Sequence, residues 1–276
     1  MRPGCPRDAC RFRLTAGATV ARCGWRYVLN NGLVPEDHFG PDVAPSYDEM
    51  VAGMFDPTTI EHTVDVLAQL AGPAAALELA IGTGRVALPL AARGVKVSGI
   101  ELSEAMVQQL RAKPGGPELP VVIGDMASAR VPGAFGLVYL VFNTIGNLTT
   151  QEQQVACFAN AAAHLQPGGS FLVELGVPEL RRLPPGERHI LLYADDDSWG
   201  IDEYDTASQR LTSHHLRNDG TQLRHHTLPF RYVWPSELDL MAQLAGMTLT
   251  ARWADWQQRP FQHDSTAHVS VWRKKN

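Results

Sequence analysis

The chain has 276 residues, 45% of them hydrophobic, and a formal net charge of −5. That length and apolar content suit a packed α/β domain with a substantial insertion and exclude a disordered chain. The charge pattern lacks the clustered basic face of a nucleic-acid binder, and no apolar run reaches the roughly 20 residues that span a bilayer.

Residues 1–40 read as an irregular lead-in, and residues 41–276 as the folded domain. Arg2, Arg7, Arg11 and Arg13 stand near the start without the apolar stretch of a secretory signal, so a cytoplasmic location is expected. Cys5, Cys10 and Cys23 lack the close pairing of zinc ligands and Cys157 is remote, so no metal is expected.

A helical pattern begins at Ser46 with Tyr47, Met50, Val51, Met54 and Phe55. Asp56-Pro57 interrupts it, and it resumes through Ile60, Val64, Leu67 and Leu70 until Gly72-Pro73. Short apolar runs then alternate with helical segments, which predicts a parallel sheet. Strands are expected near 75–80, 95–100, 119–123, 137–142 and 170–175. Helices are expected near 85–93, from Ser103 to Arg111, and across 151–165 before Pro167-Gly168-Gly169.

From 177 to 234 the pattern changes to strand-like alternation, read as an antiparallel insertion. Asp219-Gly220 predicts a hairpin. A two-residue turn there would set His214 opposite His225 and His215 opposite Arg224. Pro235-Ser236 opens a last helix, and two strands close the chain near 247–253 and 267–272. The expected fold is a Rossmann-like, doubly wound seven-stranded sheet, its last strand antiparallel, with the β insertion after the fifth strand.

The run Leu77-Glu78-Leu79-Ala80-Ile81-Gly82-Thr83-Gly84-Arg85 carries the chemistry. An apolar strand enters a Gly-x-Gly turn, and a helix leaves it with unpaired amides directed at the turn. Gly82-x-Gly84-x-x-Ala87 followed by Glu101 also fits a dinucleotide fingerprint. Glu78 argues against that ligand, because a carboxylate opposes a pyrophosphate and favours a cation. Glu101 ends the second strand, where a carboxylate can accept from ribose hydroxyls. Asp125 and Met126 end the third, where an acid beside an apolar side chain suits an adenine.

The runs LELAIGTGRVALPLAARG, GIELS, GDM, VFNTIGNLT and LQPGGSFLVEL together resemble the class I S-adenosylmethionine-dependent methyltransferases. The chain looks most like bacterial small-molecule enzymes of the amino-sugar or glycine-type N-methyltransferase kind. The resemblance implies S-adenosylmethionine as cofactor, with Glu78, Ala80, Gly82 and Gly84 around its methionine end. It implies Arg85 near the carboxylate, Glu101 on the ribose, and Leu102, Asp125 and Met126 around the adenine. It implies Val141, Phe142 and Asn143 as a floor beneath the methyl group, and Tyr47 over the cofactor.

Methyl transfer from a sulfonium needs alignment and dryness more than a dedicated base, so no catalytic residue is assigned. The insertion, with Tyr193, Trp199, Tyr204 and the pairs His214-His215 and His225-His226, is expected to wall the acceptor site or form a homodimer contact. The expected acceptor is an amine or hydroxyl of a small metabolite, and neither nucleic acid nor membrane is an expected partner. An NAD-dependent oxidoreductase and a non-catalytic protein of the same fold stand as alternatives.

Overall fold

The computed structural model describes residues 37–52 and 56–276. Most of the lead-in, with Cys5, Cys10 and Cys23, lies outside the described residues, as do Met54 and Phe55. A 3-10 turn and the short helix α1 (Tyr47–Met50) come first, followed by α2 (Pro57–Ala71). The Asp56 carboxylate accepts from the Thr59 amide at 2.9 Å and so caps α2.

The parallel strands are β1 (Ala76–Leu79), β2 (Val97–Glu101), β3 (Val121–Ile123), β4 (Phe135–Leu140) and β5 (Leu165–Gly176). Helices α3 (Ala87–Ala92), α4 (Glu104–Arg111) and α5 (Gln151–His164) alternate with them. After α6 (Pro235–Leu244) come β10 (Met247–Trp253) and β11 (Ala267–Lys274). The seven strands are ordered β10-β11-β5-β4-β1-β2-β3, and β11 runs antiparallel to both neighbours.

Both faces of this sheet are covered, which is why its strands read as continuous apolar runs rather than alternating ones. Leu77, Leu79, Phe171 and Trp272 pack with Phe158 of α5 and Met241 of α6. Leu137, Tyr139 and Leu172 face the other way, toward Leu67 of α2, Leu90 of α3 and Leu110 of α4. The expected strands and helices are present, with three shifted boundaries, one of them β4, which runs Phe135–Leu140 instead of 137–142 because Phe142 and Asn143 turn left-handed. Strand β5 begins at Leu165, where Leu165 pairs with Phe135 and a register shift absorbs the Pro167-Gly168-Gly169 run. Helix α3 starts only at Ala87, because residues 81–86 remain in tight turns.

A second, antiparallel sheet comprises β6 (His189–Ala194), β7 (Ser198–Asp205), β8 (Arg210–Asn218) and β9 (Leu223–Arg231), in that order. The hairpin between β8 and β9 corrects the expected register. Asn218 pairs with Leu223, His214 with Thr227 and His215 with His226. The cause is the Asp219 carboxylate, whose Oδ1 accepts from the Thr221 and Gln222 amides at 3.0 Å and the Thr221 hydroxyl at 2.6 Å. This turns the chain over four residues instead of two. His214 and His225 still share a face as diagonal neighbours, and their ring nitrogens lie 3.1 Å apart.

The two sheets are joined through Arg231. It is 5% exposed and donates to Gln154 Oε1 at 2.5 Å, Glu237 Oε1 at 2.7 Å and Gln209 Oε1 at 3.1 Å. One buried guanidinium therefore bonds side chains of α5, α6 and the second sheet's base.

Candidate active site

The C-terminal ends of β3, β2, β1 and β4 lie side by side, and strand order reverses at β1. Open α/β sheets bind ligands in the crevice at such a reversal. The loop after β1 is wound in left-handed conformations at Ala80 (φ 54), Gly82 (φ 56) and Gly84 (φ 80). Gly84 is doubly constrained, since a Cβ there would also stand 2.3 Å from Leu110 Cδ1. Glu101 ties this loop to the next one. Its Oε2 accepts from the Gly82 amide at 2.8 Å and its Oε1 from the Ser103 amide at 3.0 Å.

Glu78 is 3% exposed, and its carboxyl accepts from the Tyr139 hydroxyl at 2.9 Å. Burial pushes its pKa up to about 8, against the opposing pull of the Tyr139 bond and the nearby Arg85 charge. Burial likewise raises Glu101, which its amide partners partly offset. The crevice therefore holds two desolvated carboxyls, with the Arg85 charge close to Glu78.

At the end of β3, the Asp125 side chain accepts from the Ala127 amide at 2.9 Å. Met126 is turned into the core shared by α5 and α6. Leu102 and Ile123 line a cleft of about 500 Å³ together with Pro41, Pro45 and Gln108. After β4, the non-glycine residues Phe142 (φ 66) and Asn143 (φ 59) are both left-handed, which stores strain at this point. Glu174 holds them there. Its Oε2 accepts from the Phe142 amide and its Oε1 from Trp256 Nε1, both at 2.9 Å. Asn143 accepts from the Gly176 amide at 2.6 Å. The Arg85 guanidinium lies 4.1 Å from the Phe142 ring centroid. Arg85, Val141, Phe142, Glu174 and Trp256 border a second cleft of about 180 Å³.

Residues 37–50 run against the same loops. The Phe39 carbonyl accepts from Ser103 Oγ at 2.9 Å, and the Phe39 ring meets Tyr47 edge-on at 5.7 Å. Asp48 Oδ1 accepts from Thr83 Oγ1 at 2.6 Å, and Asp48 Oδ2 pairs with Lys113 Nζ at 2.5 Å. Lys113 also donates to the Thr83 carbonyl at 2.8 Å. Tyr47 is half-buried, and its hydroxyl pKa is raised by that burial.

Comparison with known proteins gives this geometry a family. A methyltransferase-domain model matches residues 76–169. The CcbJ methyltransferase from Streptomyces caelestis is 36% identical, covers 85% of this chain and 96% of its own, and superposes with a TM-score of 0.76. The chain belongs to the class I S-adenosylmethionine-dependent methyltransferases. Among curated relatives, the dTDP-3-amino-3,4,6-trideoxy-alpha-D-glucopyranose N,N-dimethyltransferase of Streptomyces venezuelae is 35% identical over 98 residues, 36% of this chain and 40% of that protein. The dTDP-3-amino-3,6-dideoxy-alpha-D-glucopyranose N,N-dimethyltransferase of Streptomyces fradiae is 34% identical over 101 residues, 37% and 39% of the two chains. The chain thus matches about two fifths of the length of these curated relatives.

For this methyltransferase, S-adenosylmethionine is the cofactor its family uses, and the crevice suits it. A buried acid at Glu78, a paired carboxylate at Glu101 and glycines that admit close backbone approach match a ligand with a cationic centre, a ribose and an α-amino acid tail. The residues singled out from the sequence lie in or just after the C-terminal ends of β1 to β4, apart from Tyr47, which comes from the preceding segment. Asp48, Lys113, Tyr139, Glu174 and Trp256 were not among them. An isolated acid inside an apolar strand, as in Phe171-Leu172-Val173-Glu174-Leu175, is the one local signal that marks any of these five. No membrane-length apolar helix occurs among the described residues.

Proposed function

We propose that the methyltransferase transfers a methyl group from S-adenosylmethionine to an amine nitrogen of a small, sugar-like metabolite. The observation that carries this reading is the pair of buried carboxyls, Glu78 and Glu101, across a Gly-x-Gly turn at the strand-order reversal. The acceptor class is drawn from the curated amino-sugar N,N-dimethyltransferases, which are 34–35% identical over about two fifths of their length.

When bound, the donor supplies an activated methyl on a sulfonium. The residues of the chain divide the remaining work. Glu78 faces the cationic end, with Ala80, Gly82 and Gly84 giving backbone contact and Arg85 meeting the carboxylate. Glu101 takes the ribose hydroxyls, while Leu102, Asp125 and Met126 frame the adenine. Val141, Phe142 and Asn143 support the methyl from below, and Tyr47 closes the site from above. Alignment and exclusion of water provide most of the acceleration, and a neutral amine needs no assigned base.

The second sheet, within residues 177–234, forms the acceptor wall in this reading, and its free face serves as a homodimer contact in a cytoplasmic enzyme. The test is direct. Purified protein is incubated with S-adenosylmethionine and a panel of nucleotide-linked and free amino sugars, phenols and acids, and products are weighed by mass spectrometry. Methylation confined to amines supports the proposal. Binding of NADH in place of S-adenosylhomocysteine by calorimetry overturns it, and methylation of hydroxyls alone overturns the acceptor assignment.

A further inference from the structure

Asp48 makes contacts that packing alone does not require. It follows Tyr47 directly, and both of its oxygens are engaged by residues distant in sequence, Thr83 and Lys113. Thr83 lies between the two glycines of the turn, and its carbonyl accepts from the same Lys113 ammonium. The three residues thus close a ring of contacts that joins α1, the turn after β1 and the end of α4. At the other end of the segment, Ser103 holds the Phe39 carbonyl, and Ser103 is itself bonded through its amide to Glu101. The segment therefore crosses the donor crevice and is fastened to each of the two loops that Glu101 ties together.

The burial of these partners differs. Thr83 is 2% exposed, whereas the side chains of Asp48 and Lys113 are 38% and 28% exposed. A partly exposed ion pair is weak enough to open on the timescale of loop motion, yet its opening frees the whole segment at that end. Its strength depends on salt, because water and ions reach it.

We infer that Asp48 and Lys113 are positioning residues that form a latch, holding Tyr47 over the donor site and setting how fast donor and spent donor leave. This inference rests on the donor assignment made above. The latch touches the Gly-x-Gly turn through Thr83, so a ligand that orders that turn also favours the closed segment, and release requires the Asp48 contacts to break. The ion pair needs both charges, so removing either Asp48 or Lys113 removes the same contact.

The test uses the full chain and S-adenosylhomocysteine as probe. Its release rate is measured by stopped-flow for wild type, Asp48→Asn, Lys113→Met and the double variant. Each single change raises the release rate roughly 2- to 5-fold, the scale of one partly exposed ion pair, and the double variant adds little more. The KM for the donor rises while kcat holds or increases. Amide exchange across residues 37–52 quickens in the ligand-free variants without a fall in global Tm. High salt accelerates release from wild type and leaves Asp48→Asn unchanged. Unchanged release rates, or independent effects that multiply in the double variant, overturn the latch. A wild-type protein that binds no S-adenosylhomocysteine overturns the donor assignment, and with it the latch as a donor gate.

Discussion

The Tyr139 hydroxyl donates to Glu78 Oε2 at 2.9 Å across directly paired residues of β4 and β1. Both side chains lie on the face covered by α2 and α3, where water does not reach. The tyrosine therefore keeps an acid in the sheet interior hydrogen-bonded, whether that acid is neutral or ionised.

This pairing predicts a pH-dependent apo protein. Burial raises the Glu78 pKa from 4.5 to about 8, so the native state binds this proton more tightly than the unfolded chain. The stabilising contribution is complete below about 4.5 and is lost as pH rises through about 8. The total is on the order of a few kcal/mol. Glu78→Gln should flatten this trend in Tm against pH, since its amide oxygen still accepts from Tyr139. A cationic donor favours the ionised acid, so donor binding near neutral pH should release protons from wild type. Calorimetry in buffers of different ionisation enthalpy measures that release, which Glu78→Gln should abolish.

Glu101 uses both oxygens as acceptors of backbone amides. Glu101→Gln leaves one of them facing an NH₂ group and so unpaired. Binding of S-adenosylhomocysteine should weaken by roughly 1–3 kcal/mol, read by titration calorimetry. Unchanged affinity would remove Glu101 from the ribose.

Glu174 should act on rate more than on donor affinity. Glu174→Gln can satisfy only one of its two donors, Phe142 N and Trp256 Nε1, and so frees the left-handed pair at 142–143. A displaced floor of this kind should lower kcat by on the order of 10–100-fold while donor KM changes little. Steady-state kinetics at saturating acceptor separates the two terms.

Arg231→Met leaves Glu237, half-buried on α6, without its cation but still bonded to Gln151 and Gln209. The loss should be about 1–3 kcal/mol in urea unfolding, because Gln154 and Gln209 lose a buried donor while Glu237 keeps its two amide partners. Replacing Arg231 and Glu237 together by apolar residues should recover part of it.

Much of the fold was legible because turn and capping residues follow the first three parallel strands within three positions. Gly82, Ser103 and Gly124 all mark exits at the crevice, and Thr150 with Gln153 caps α5 as local rules require. The candidate loops were legible for the same reason. The braces were not. Asp48 finds Thr83 and Lys113, and Glu174 finds Trp256, across separations that periodicity cannot report. The hairpin register failed locally: Asp-Gly favours a two-residue turn, but the Asp219 side chain captures two further amides and widens it. That capture moved every cross-strand pair by two positions yet left each histidine on its expected face, because strand faces repeat every second residue.

The second sheet is one unbroken stretch of chain, β6 through β9, and it returns to the main body at Arg231. None of its strands pairs with the seven-stranded sheet. It is therefore a cassette in the genetic sense, replaceable by a homologous segment without cutting any ladder of the larger sheet. What must travel with it is a small set of ties, Arg231 and Gln209 on one side and Gln154 and Glu237 on the other, so ancestry can vary one sheet while inheriting the other intact.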